Sequence, residues 1–459
     1  MKLNLKQIFV CTSCGSVHPK WMGRCTDCQS WNTVIEEVIS KSSQNYSVSQ
    51  IISTPINKIE YLQEQRTLTG VSEFDRVLGG GFVSGSLLLI SGDPGIGKST
   101  LLLQTLFGIA SQGKKVIYAS GEESPQQIKM RAERLETLHE NILVTNETDI
   151  HAIIDEARKI KPHVLVIDSI QTVFNPNIGS TAGTVSQIRE CANLFMQFAK
   201  KDKVTIFIIG HVTKDGMIAG PKILEHLVDC ALHLEGDLSS GYRILRSHKN
   251  RFGSTGEIGV FAMHGHGLIE VANPSSLFIT DSNVTLEGSA IAVSMEGSRP
   301  ILLEVQVLVG KTSFSTPRRL STGIDSNRFT ILLAVLEKRS GLCLSQLDIY
   351  ANITGGFKVQ EPAIDLATAA AVASSLFSKP LPRRSAFVGE VGLSGEVRRT
   401  NHIAARLQEC VKLGFDKIFL PAQSFQIEKE NISKILDKAE NEIMIIPVET
   451  VNEVVRFDF

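Results

Sequence analysis

One run of eight residues has the types and spacing that hold phosphate: Gly92-Asp93-Pro94-Gly95-Ile96-Gly97-Lys98-Ser99. An apolar, strand-like stretch (residues 87–90) precedes the run, and a helical pattern begins at Thr100. In this setting the glycines let backbone N–H groups converge on phosphate oxygens, the lysine reaches the β and γ phosphates, and the serine ligates Mg²⁺. The start of the helix adds positive potential. We therefore predict that residues 92–100 bind ATP, with Lys98 catalytic and Ser99 a Mg²⁺ ligand.

A pair of glutamates follows the next apolar run. Residues 116–119 read as a buried strand that leads into Glu122 and Glu123. A carboxylate at the tip of a strand beside the phosphate strand can polarise the attacking water, and we predict this catalytic role for Glu122. Both acids could instead cap the following helix, where Ser124 and Gln127 form a capping box. Glu123 suits that alternative better, so the two acids can divide the roles.

Two further strand ends carry polar side chains. Residues 164–167 are apolar and end at Asp168, which we predict to hold Mg²⁺ opposite Ser99. Residues 204–209 form another apolar run, which leads into His211. This histidine is a candidate sensor of the γ-phosphate that relays its presence to the following loop. A structural, hydrogen-bonded histidine would have the same sequence pattern.

Four cysteines near the start of the chain form two Cys-x-x-Cys pairs: Cys11, Cys14, Cys25 and Cys28. Two such pairs about ten residues apart can close a tetrahedral site around one Zn²⁺. A pair of disulfides is the alternative, but a reducing compartment and the paired spacing favour the metal. Four thiolates leave no open coordination position, so the predicted role of the zinc is structural.

The composition limits the classes of protein and of partner. The chain has 459 residues, a formal net charge of −1, and too great a length for one ordinary core. The near-zero charge argues against general coating of nucleic acid or membrane. No apolar run is long enough to span a membrane, and the first residues lack the apolar core of a signal peptide. We expect a cytoplasmic protein with no membrane contact.

These elements predict three parts joined by a linker. Residues 1–35 form a zinc finger with four cysteine ligands, residues 36–62 a Ser-rich linker, and residues 63–272 an α/β ATPase core. Within the core, residues 67–81 predict a short amphipathic helix ended by glycines just before the phosphate strand. That block resembles the start of RecA-type ATPase cores.

A predicted β-hairpin leads into a basic pentapeptide: Lys249-Asn250-Arg251-Phe252-Gly253. The cysteine pairs, the phosphate loop and this pentapeptide, in this order, resemble the RadA (Sms) family of bacterial DNA-repair ATPases. In related hexameric helicases an equivalent basic hairpin reaches the γ-phosphate of the neighbouring subunit. The resemblance therefore implies that Lys249 and Arg251 act in trans, which would make hydrolysis depend on assembly. An ordinary basic turn is the alternative.

The resemblance also implies a function. It predicts a DNA-dependent ATPase of recombinational repair that forms a homohexameric ring and drives branch migration on single-stranded and branched DNA. A RecA-type recombinase is the implied protein partner. Two aperiodic stretches, residues 172–185 and 213–221, are candidate DNA loops, and the second contains Lys214. The alternatives are a mobile surface loop for these stretches and, for the whole chain, an ATP-gated loader or chaperone-like ATPase without translocation.

Residues 273–459 predict a second, α+β domain with its own core. About the last 180 residues resemble the proteolytic domain of Lon. Where that motif requires a serine nucleophile after proline, this chain has Pro362-Ala363, and Arg406 lies near the position of the lysine base. A methyl group cannot attack a carbonyl, and arginine does not release its proton to act as a base. We therefore expect no peptidase activity.

Overall fold

The structure is a computed structural model. It describes residues 5–11, 16–40, 55, 66–211, 224–236, 241–279, 286–313, 316–438 and 442–456. Cys14, Lys214 and the candidate DNA loop at residues 213–221 lie outside the described residues, as does most of the predicted linker. The chain divides into two compact units, Met1–Val271 and Ala272–Phe459.

The first unit begins with a small antiparallel sheet, the zinc ribbon. Its strands are β1 (Leu5–Cys11), β2 (Val17–His18) and β3 (Val34–Ser40), in the order β2-β1-β3. β3 pairs with β1 along its whole length, from Cys11↔Val34 to Leu5↔Ser40. The ribbon therefore extends five residues past the boundary predicted at residue 35, because residues 36–40 satisfy their backbone hydrogen bonds on β1.

A larger sheet forms the body of the first unit, and β4 and β5 form a separate two-stranded antiparallel sheet. The strands are β4 (Arg66–Thr67), β5 (Phe82–Val83), β6 (Leu87–Gly92), β7 (Val116–Ser120), β8 (Ile142–Thr145), β9 (Val164–Asp168), β10 (Thr205–His211), β11 (Cys230–Glu235), β12 (Tyr242–Asn250), β13 (Ile258–His264) and β14 (Gly267–Glu270). Among the described residues the order is β14-β13-β12-β11-β6-β10-β9-β7-β8. Strands β6 to β11 are parallel, and β12 to β14 are antiparallel.

Helices cover both faces of this sheet. They span Ser72–Leu78, Lys98–Ala110, Pro125–Arg134, Ile150–Ile160 and Val185–Asp202. Alternate residues of β6 enter two different cores: Leu88 and Ile90 pack with helix Lys98–Ala110, and Leu87 and Leu89 pack with helices Ile150–Ile160 and Val185–Asp202. A parallel strand buried on both faces must be apolar throughout, which is why residues 87–90 carry no polar alternation.

The second unit has a mixed sheet of its own. Its strands are β15 (Ser289–Glu296), β16 (Arg299–Lys311), β17 (Arg319–Thr322), β18 (Leu347–Ile353), β19 (Ser385–Phe387), β20 (Glu390–Val391), β21 (Val397–Arg398), β22 (Lys417–Pro421) and β23 (Met444–Val448). The order in the main sheet is β17-β18-β16-β15-β19-β22-β23, and β20 pairs with β21.

Helices of the second unit pack on this sheet. They span Ser275–Phe278, Ser326–Ser340, Asp365–Phe377, Ile403–Lys412, Ala422–Ile427, Lys429–Leu436 and Val451–Val455. The alanine-rich helix Asp365–Phe377 is buried along its first ten residues, and a 3₁₀ turn, Pro362–Ile364, leads into it. The predicted fold class, an α/β core followed by an α+β domain, is confirmed. No helix among the described residues is long and apolar enough to cross a membrane.

Candidate active site

The phosphate loop connects β6 to helix Lys98–Ala110, as its sequence predicts. Gly97 has a φ of 116°, and Gly92 a φ of 146°, so both lie in the left-handed region that favours glycine. A Cβ on Gly92 would also lie 2.3 Å from the carbonyl oxygen of Leu234. The loop therefore requires glycine both for its conformation and for its close approach to β11.

The side chain of Lys98 points back across this loop. Its Nζ donates to the carbonyl oxygens of Gly92 and Asp93, at 2.8 Å each, and the residue is only 3% exposed. Burial lowers the pKa of Lys98, while the carboxylates of Asp168 and Asp93 act in the opposite direction. A buried ammonium in a glycine-rich loop at the N-terminus of a helix suits a polyanionic ligand.

Asp168 ends β9 beside the phosphate loop and is 4% exposed. The buried hydroxyl of Tyr118, on β7, donates to its Oδ2. Tyr118 also contacts the Ser99 side chain, and burial raises the pKa of the phenol well above its usual value. Tyr118 therefore stays protonated and joins the two residues predicted to bind Mg²⁺. Their hard oxygen atoms are the ligand type that Mg²⁺ requires.

Tyr118 was not among the residues predicted from the sequence. The available signal was a single phenol in an otherwise aliphatic strand, residues 116–119. A buried tyrosine hydroxyl usually finds a hydrogen-bond partner, and here that partner is Asp168. A second unpredicted residue is the buried Arg243 of β12, whose Nε donates to the carbonyl oxygen of Ile96 at 3.0 Å and supports the phosphate loop.

Glu122 lies next to Asp168. Its Oε1 accepts from the Ser169 hydroxyl at 2.5 Å and is 3.0 Å from Nε2 of His211. The hydrogen bond with His211 is the main reason that the pKa of Glu122 falls to about 2. One ligand atom each from Glu122, Asp168 and His211 lie within 4.8 Å of one another. The structure therefore brings three predicted residues together at the carboxyl edge of the sheet.

Glu123 is directed elsewhere. Its carboxylate forms an ion pair with Arg131 of helix Pro125–Arg134. The N-cap of that helix is Ser124, which forms a capping box with Gln127. The two adjacent acids thus have different surroundings: Glu122 faces the phosphate loop, and Glu123 braces the next helix.

The basic pentapeptide, residues 249–253, lies level with the amino-terminal ends of the parallel strands, whereas the phosphate loop follows their carboxyl ends. Cys230 of β11 pairs with Asn250 on one side and with Leu88, near the start of β6, on the other. The phosphate loop follows the far end of β6, and at about 3.3 Å per residue the two ends of that strand are roughly 15 Å apart. Lys249 and Arg251 are therefore not brought together with Lys98 within one chain.

Local contacts shape the pentapeptide. Lys249 Nζ donates to the carbonyl oxygens of Glu225 (2.7 Å) and His226 (3.2 Å), and Arg251 Nη1 is 3.0 Å from the buried Asp229. The buried Asn250 amide donates to the Leu78 carbonyl and accepts from the Phe252 N–H. Phe252 and Gly253 complete a tight turn against the end of helix Ser72–Leu78, where Gly253 Cα lies 3.5 Å from the position a Cβ on Gly79 would take. The turn holds the two cations at the edge of the sheet.

The zinc ribbon brings at least three thiols together. Sγ atoms of Cys11, Cys25 and Cys28 lie within 4.8 Å of one another, and those of Cys11 and Cys28 are 3.6 Å apart. A disulfide would require about 2.05 Å. Zn–S bonds of about 2.3 Å at tetrahedral angles put the sulfurs roughly 3.8 Å apart, so the spacing fits Zn²⁺. Cys14, the fourth predicted ligand, lies outside the described residues.

In the second unit, the two residues compared above with the Lon peptidase motif, Ala363 and Arg406, are both buried. Arg406 is 2% exposed and forms an ion pair with Glu361. Its guanidinium also donates to the carbonyl oxygens of Val293 and Asn401. Ala363, two residues after Glu361, is buried and presents only a methyl group.

Three family models match successive parts of the chain. They are described as Rubredoxin metal binding domain (residues 9–36), AAA domain (residues 62–217) and Lon protease (S16) C-terminal proteolytic domain (residues 343–459).

Curated relatives match nearly the whole chain. DNA repair protein RadA of Bacillus subtilis is 50% identical over 91% of this chain and 93% of its own length. The protein of the same name from Listeria monocytogenes is 47% identical over 98% and 97%. That of Streptococcus pyogenes is 50% identical over 92% and 94%. Among solved structures, the RadB recombinase matches at 24% identity with a TM-score of 0.36, covering 44% of this chain and 99% of that one.

Proposed function

This chain belongs to the RadA family of DNA repair proteins and is a RecA-like ATPase of recombinational repair that uses ATP, Mg²⁺ and Zn²⁺; from that premise we propose that it is a DNA-dependent, ring-shaped motor. In the proposed function a homohexamer hydrolyses ATP at its subunit interfaces and drives branch migration on single-stranded and branched DNA, together with a RecA-type recombinase.

One observation carries the assembly part of the proposal. Lys249 and Arg251 lie at the edge of the sheet opposite the phosphate loop of their own chain. A cation can stabilise the transferring phosphoryl group only if it touches that group. The two cations can therefore serve catalysis only at a neighbouring subunit, in a head-to-tail interface that closes into a ring.

The residues at the carboxyl edge divide the chemistry between them. Lys98 and the backbone N–H groups of the loop hold the phosphates, and Ser99 with Asp168 would hold Mg²⁺, which neutralises charge on the phosphate oxygens. Glu122 is the proposed base that orients and deprotonates water. His211 contacts Glu122 and ends β10, immediately before residues 212–223. This position suits a residue that couples the γ-phosphate to the proposed DNA loop with Lys214.

The second unit is proposed to be a scaffold without peptidase activity. Ala363 provides no nucleophile, and Arg406 is engaged by Glu361. A casein-degradation assay with ATP should therefore show no cleavage above that of the Lys98→Ala protein.

Subunit mixing tests the interface. Lys98→Ala removes the phosphate lysine and keeps Arg251, whereas Arg251→Gln does the reverse. Each variant alone should hydrolyse ATP at background rate. If the two are co-expressed with different tags and purified through both, a random ring should regain about one wild-type interface in four, and activity in proportion.

Lys249→Ala co-expressed with Arg251→Gln is the matched control. Every interface in that mixture lacks one of the two cations, so activity should not return. Failure of the Lys98→Ala and Arg251→Gln pair to recover would refute catalysis in trans. ATP-dependent strand displacement from a three-stranded junction tests the motor, and hydrolysis without displacement would favour the ATP-gated loader.

A further inference from the structure

The two tryptophans of this chain both lie on the zinc ribbon, and both are exposed. Trp21 is 59% exposed and Trp31 is 69% exposed. Their ring edges flank Gly23: the position a Cβ would take there lies 3.9 Å from Trp21 and 4.0 Å from Trp31. Leaving two indoles in water forgoes a large gain from burial. We call Trp21, Gly23, Arg24 and Trp31 the tryptophan face.

The tryptophan face is held in place by its backbone and by one arginine. Arg24 and Trp31 are opposed in an antiparallel bridge, and Gly23 accepts from the Asn32 N–H at 2.7 Å. Gln29 accepts from Arg24 through its carbonyl (2.9 Å) and its side-chain amide (2.7 Å). This arrangement places the guanidinium carbon 5.6 Å from the centroid of the Trp31 ring. The cation and the indole are therefore preorganised together.

The fold of the ribbon does not account for these rings. Among its described residues, the apolar core consists of Cys11, Cys25 and Val34, with Phe9 and Met22 packed against it. Neither tryptophan belongs to this cluster. The tryptophan face is thus a surface feature, separate from the metal ligands and from the small core that the metal stabilises.

We propose that the tryptophan face binds single-stranded DNA by stacking unpaired bases on its indoles. Flat aromatic rings accept any base, and an adjacent cation meets the phosphates; together they make a sequence-tolerant single-strand site. Local charge supports this partner, since the exposed Arg24 lies beside the Trp31 ring and the exposed Lys20 adjoins Trp21 in the sequence. Both rings are exposed and approach the same glycine, so unpaired bases of one strand can reach both of them.

This inference goes beyond the proposed motor function, because neither ATP nor ring assembly takes part in it. It gives the ribbon a contact of its own with the unpaired strand of a DNA intermediate. The zinc maintains the geometry of the tryptophan face and does not touch the nucleic acid.

Intrinsic fluorescence tests the proposal directly, since all of the tryptophan emission of the full-length protein comes from this face. The zinc-loaded protein is titrated without ATP with oligothymidylate and, separately, with an abasic strand of the same length and charge. Oligothymidylate should quench the emission, and the abasic strand should leave most of it. Equal quenching by both strands, or no change with either, would overturn base stacking.

Substitutions supply the second measurement. Trp21→Ala and Trp31→Ala should each weaken oligothymidylate binding by roughly 5- to 150-fold, the range expected for one lost stacking partner. Leu393→Ala, at another exposed apolar residue, is the matched control and should not change binding. Zinc content by metal analysis must stay unchanged in all three variants.

The result is distinguishable from that of the subunit-mixing experiment. Lys98→Ala protein, which cannot hydrolyse ATP, should show the same quenching by oligothymidylate as the wild type. If wild-type emission responds to a purified recombinase and not to DNA, the tryptophan face is a protein-docking surface and the proposal is wrong.

Discussion

At the residue scale, the carboxyl edge of the sheet contains a chain of hydrogen bonds rather than separate catalytic groups. Tyr118 contacts Ser99 and Asp168, and Ser169 and His211 both contact Glu122. Each acid thus has a neighbour that fixes its orientation before nucleotide arrives. Such preorganisation lowers the cost of reaching the transition state, because no group has to reorient during the reaction.

Tyr118→Phe tests the positioning of Asp168. Removing the hydroxyl deletes a hydrogen bond to a charged group, worth about 1.5–3 kcal/mol, and leaves the carboxylate free to rotate. We expect a higher Mg²⁺ requirement and about a tenfold fall in kcat/KM for ATP. Ile117→Val, on the same strand but in the opposite core, is the control. A Mg²⁺ titration that is identical for both variants would contradict the role of Tyr118.

Glu122→Gln and Glu123→Gln form a matched pair. If Glu122 is the proposed base, its loss should lower kcat by about 10²- to 10⁴-fold while ATP still binds. Loss of the Arg131 partner at Glu123 should change kcat by less than about fivefold, because a partly exposed ion pair contributes little. Hydrolysis and fluorescent-nucleotide binding measured side by side decide between the two acids. The reverse order of effects would exchange their roles.

The pH dependence of stability follows from Glu122. Its pKa falls from 4.5 to about 2, chiefly through the hydrogen bond with His211. A depressed pKa stabilises the fold above pH 4.5, and that stabilisation is lost as the pH falls toward 2. The difference in melting temperature between the wild type and Glu122→Gln should therefore shrink as the pH falls from about 5 to about 3. The solvent exposure of Glu122 keeps the whole effect small. A difference that is constant with pH would exclude the linkage.

At the scale of elements, strand direction decides which residues meet. Strands β7, β9 and β10 are parallel, so the groups that follow their carboxyl ends converge beside the phosphate loop. β12 is antiparallel to these strands, so the pentapeptide at its carboxyl end lies beside their amino-terminal ends, away from the phosphate loop. In the second unit, Arg406 of helix Ile403–Lys412 ties that helix to Glu361, just before the turn Pro362–Ile364.

Arg406→Met tests the structural value of that tie. Removing Arg406 takes the cation from Glu361, which is 24% exposed and keeps hydrogen bonds from Ser294 and Met295. The cost should therefore lie below the roughly 3–5 kcal/mol of a fully buried pair and above about 1 kcal/mol. The free energy of unfolding of the second unit should fall by this amount. Urea unfolding, monitored by amide hydrogen exchange in helix Asp365–Phe377, measures it. Arg398→Met breaks an exposed pair with Glu396 and should cost less than about 1 kcal/mol. Equal losses in the two variants would show that Arg406 is not a buried anchor.

At the scale of the whole molecule, the proposed catalysis in trans would make activity a property of the assembly. A subunit without a neighbour has the phosphate loop and Glu122, but no Lys249 or Arg251 at its own nucleotide. In the proposed assembly, hydrolysis would therefore depend on ring formation, and isolated subunits would not consume ATP.

The specific activity should therefore rise with protein concentration and reach a plateau once rings are complete. Arg251→Gln should remain at the low, concentration-independent rate, because its interfaces lack the guanidinium even when they form. Steady-state ATP hydrolysis across a dilution series, with sedimentation at the same concentrations, measures both quantities. A wild-type rate per subunit that stays constant while the rings dissociate would exclude the shared site.

The sequence alone determined the local chemistry and the class of fold. The phosphate loop, the cysteine pairs and the apolar strands are local patterns whose meaning depends on spacing along the chain, so Lys98 and the α/β core could be predicted directly. The strand ends at Asp168 and Glu122 were also predictable, because a parallel sheet gathers such ends at one edge. The extent of β3 was not, since it depends on pairing with β1.

Only the tertiary structure decided which side chains meet across the fold. Tyr118 and Asp168 are 50 residues apart, and Arg406 and Glu361 are 45 apart. Their contacts arise from sheet register and helix packing, which no local pattern specifies. The same holds for the separation of Arg251 from Lys98, which follows from the order of β12, β11 and β6. Spacing along the chain determines which chemistry a residue can perform, and long-range packing determines which side chains it contacts.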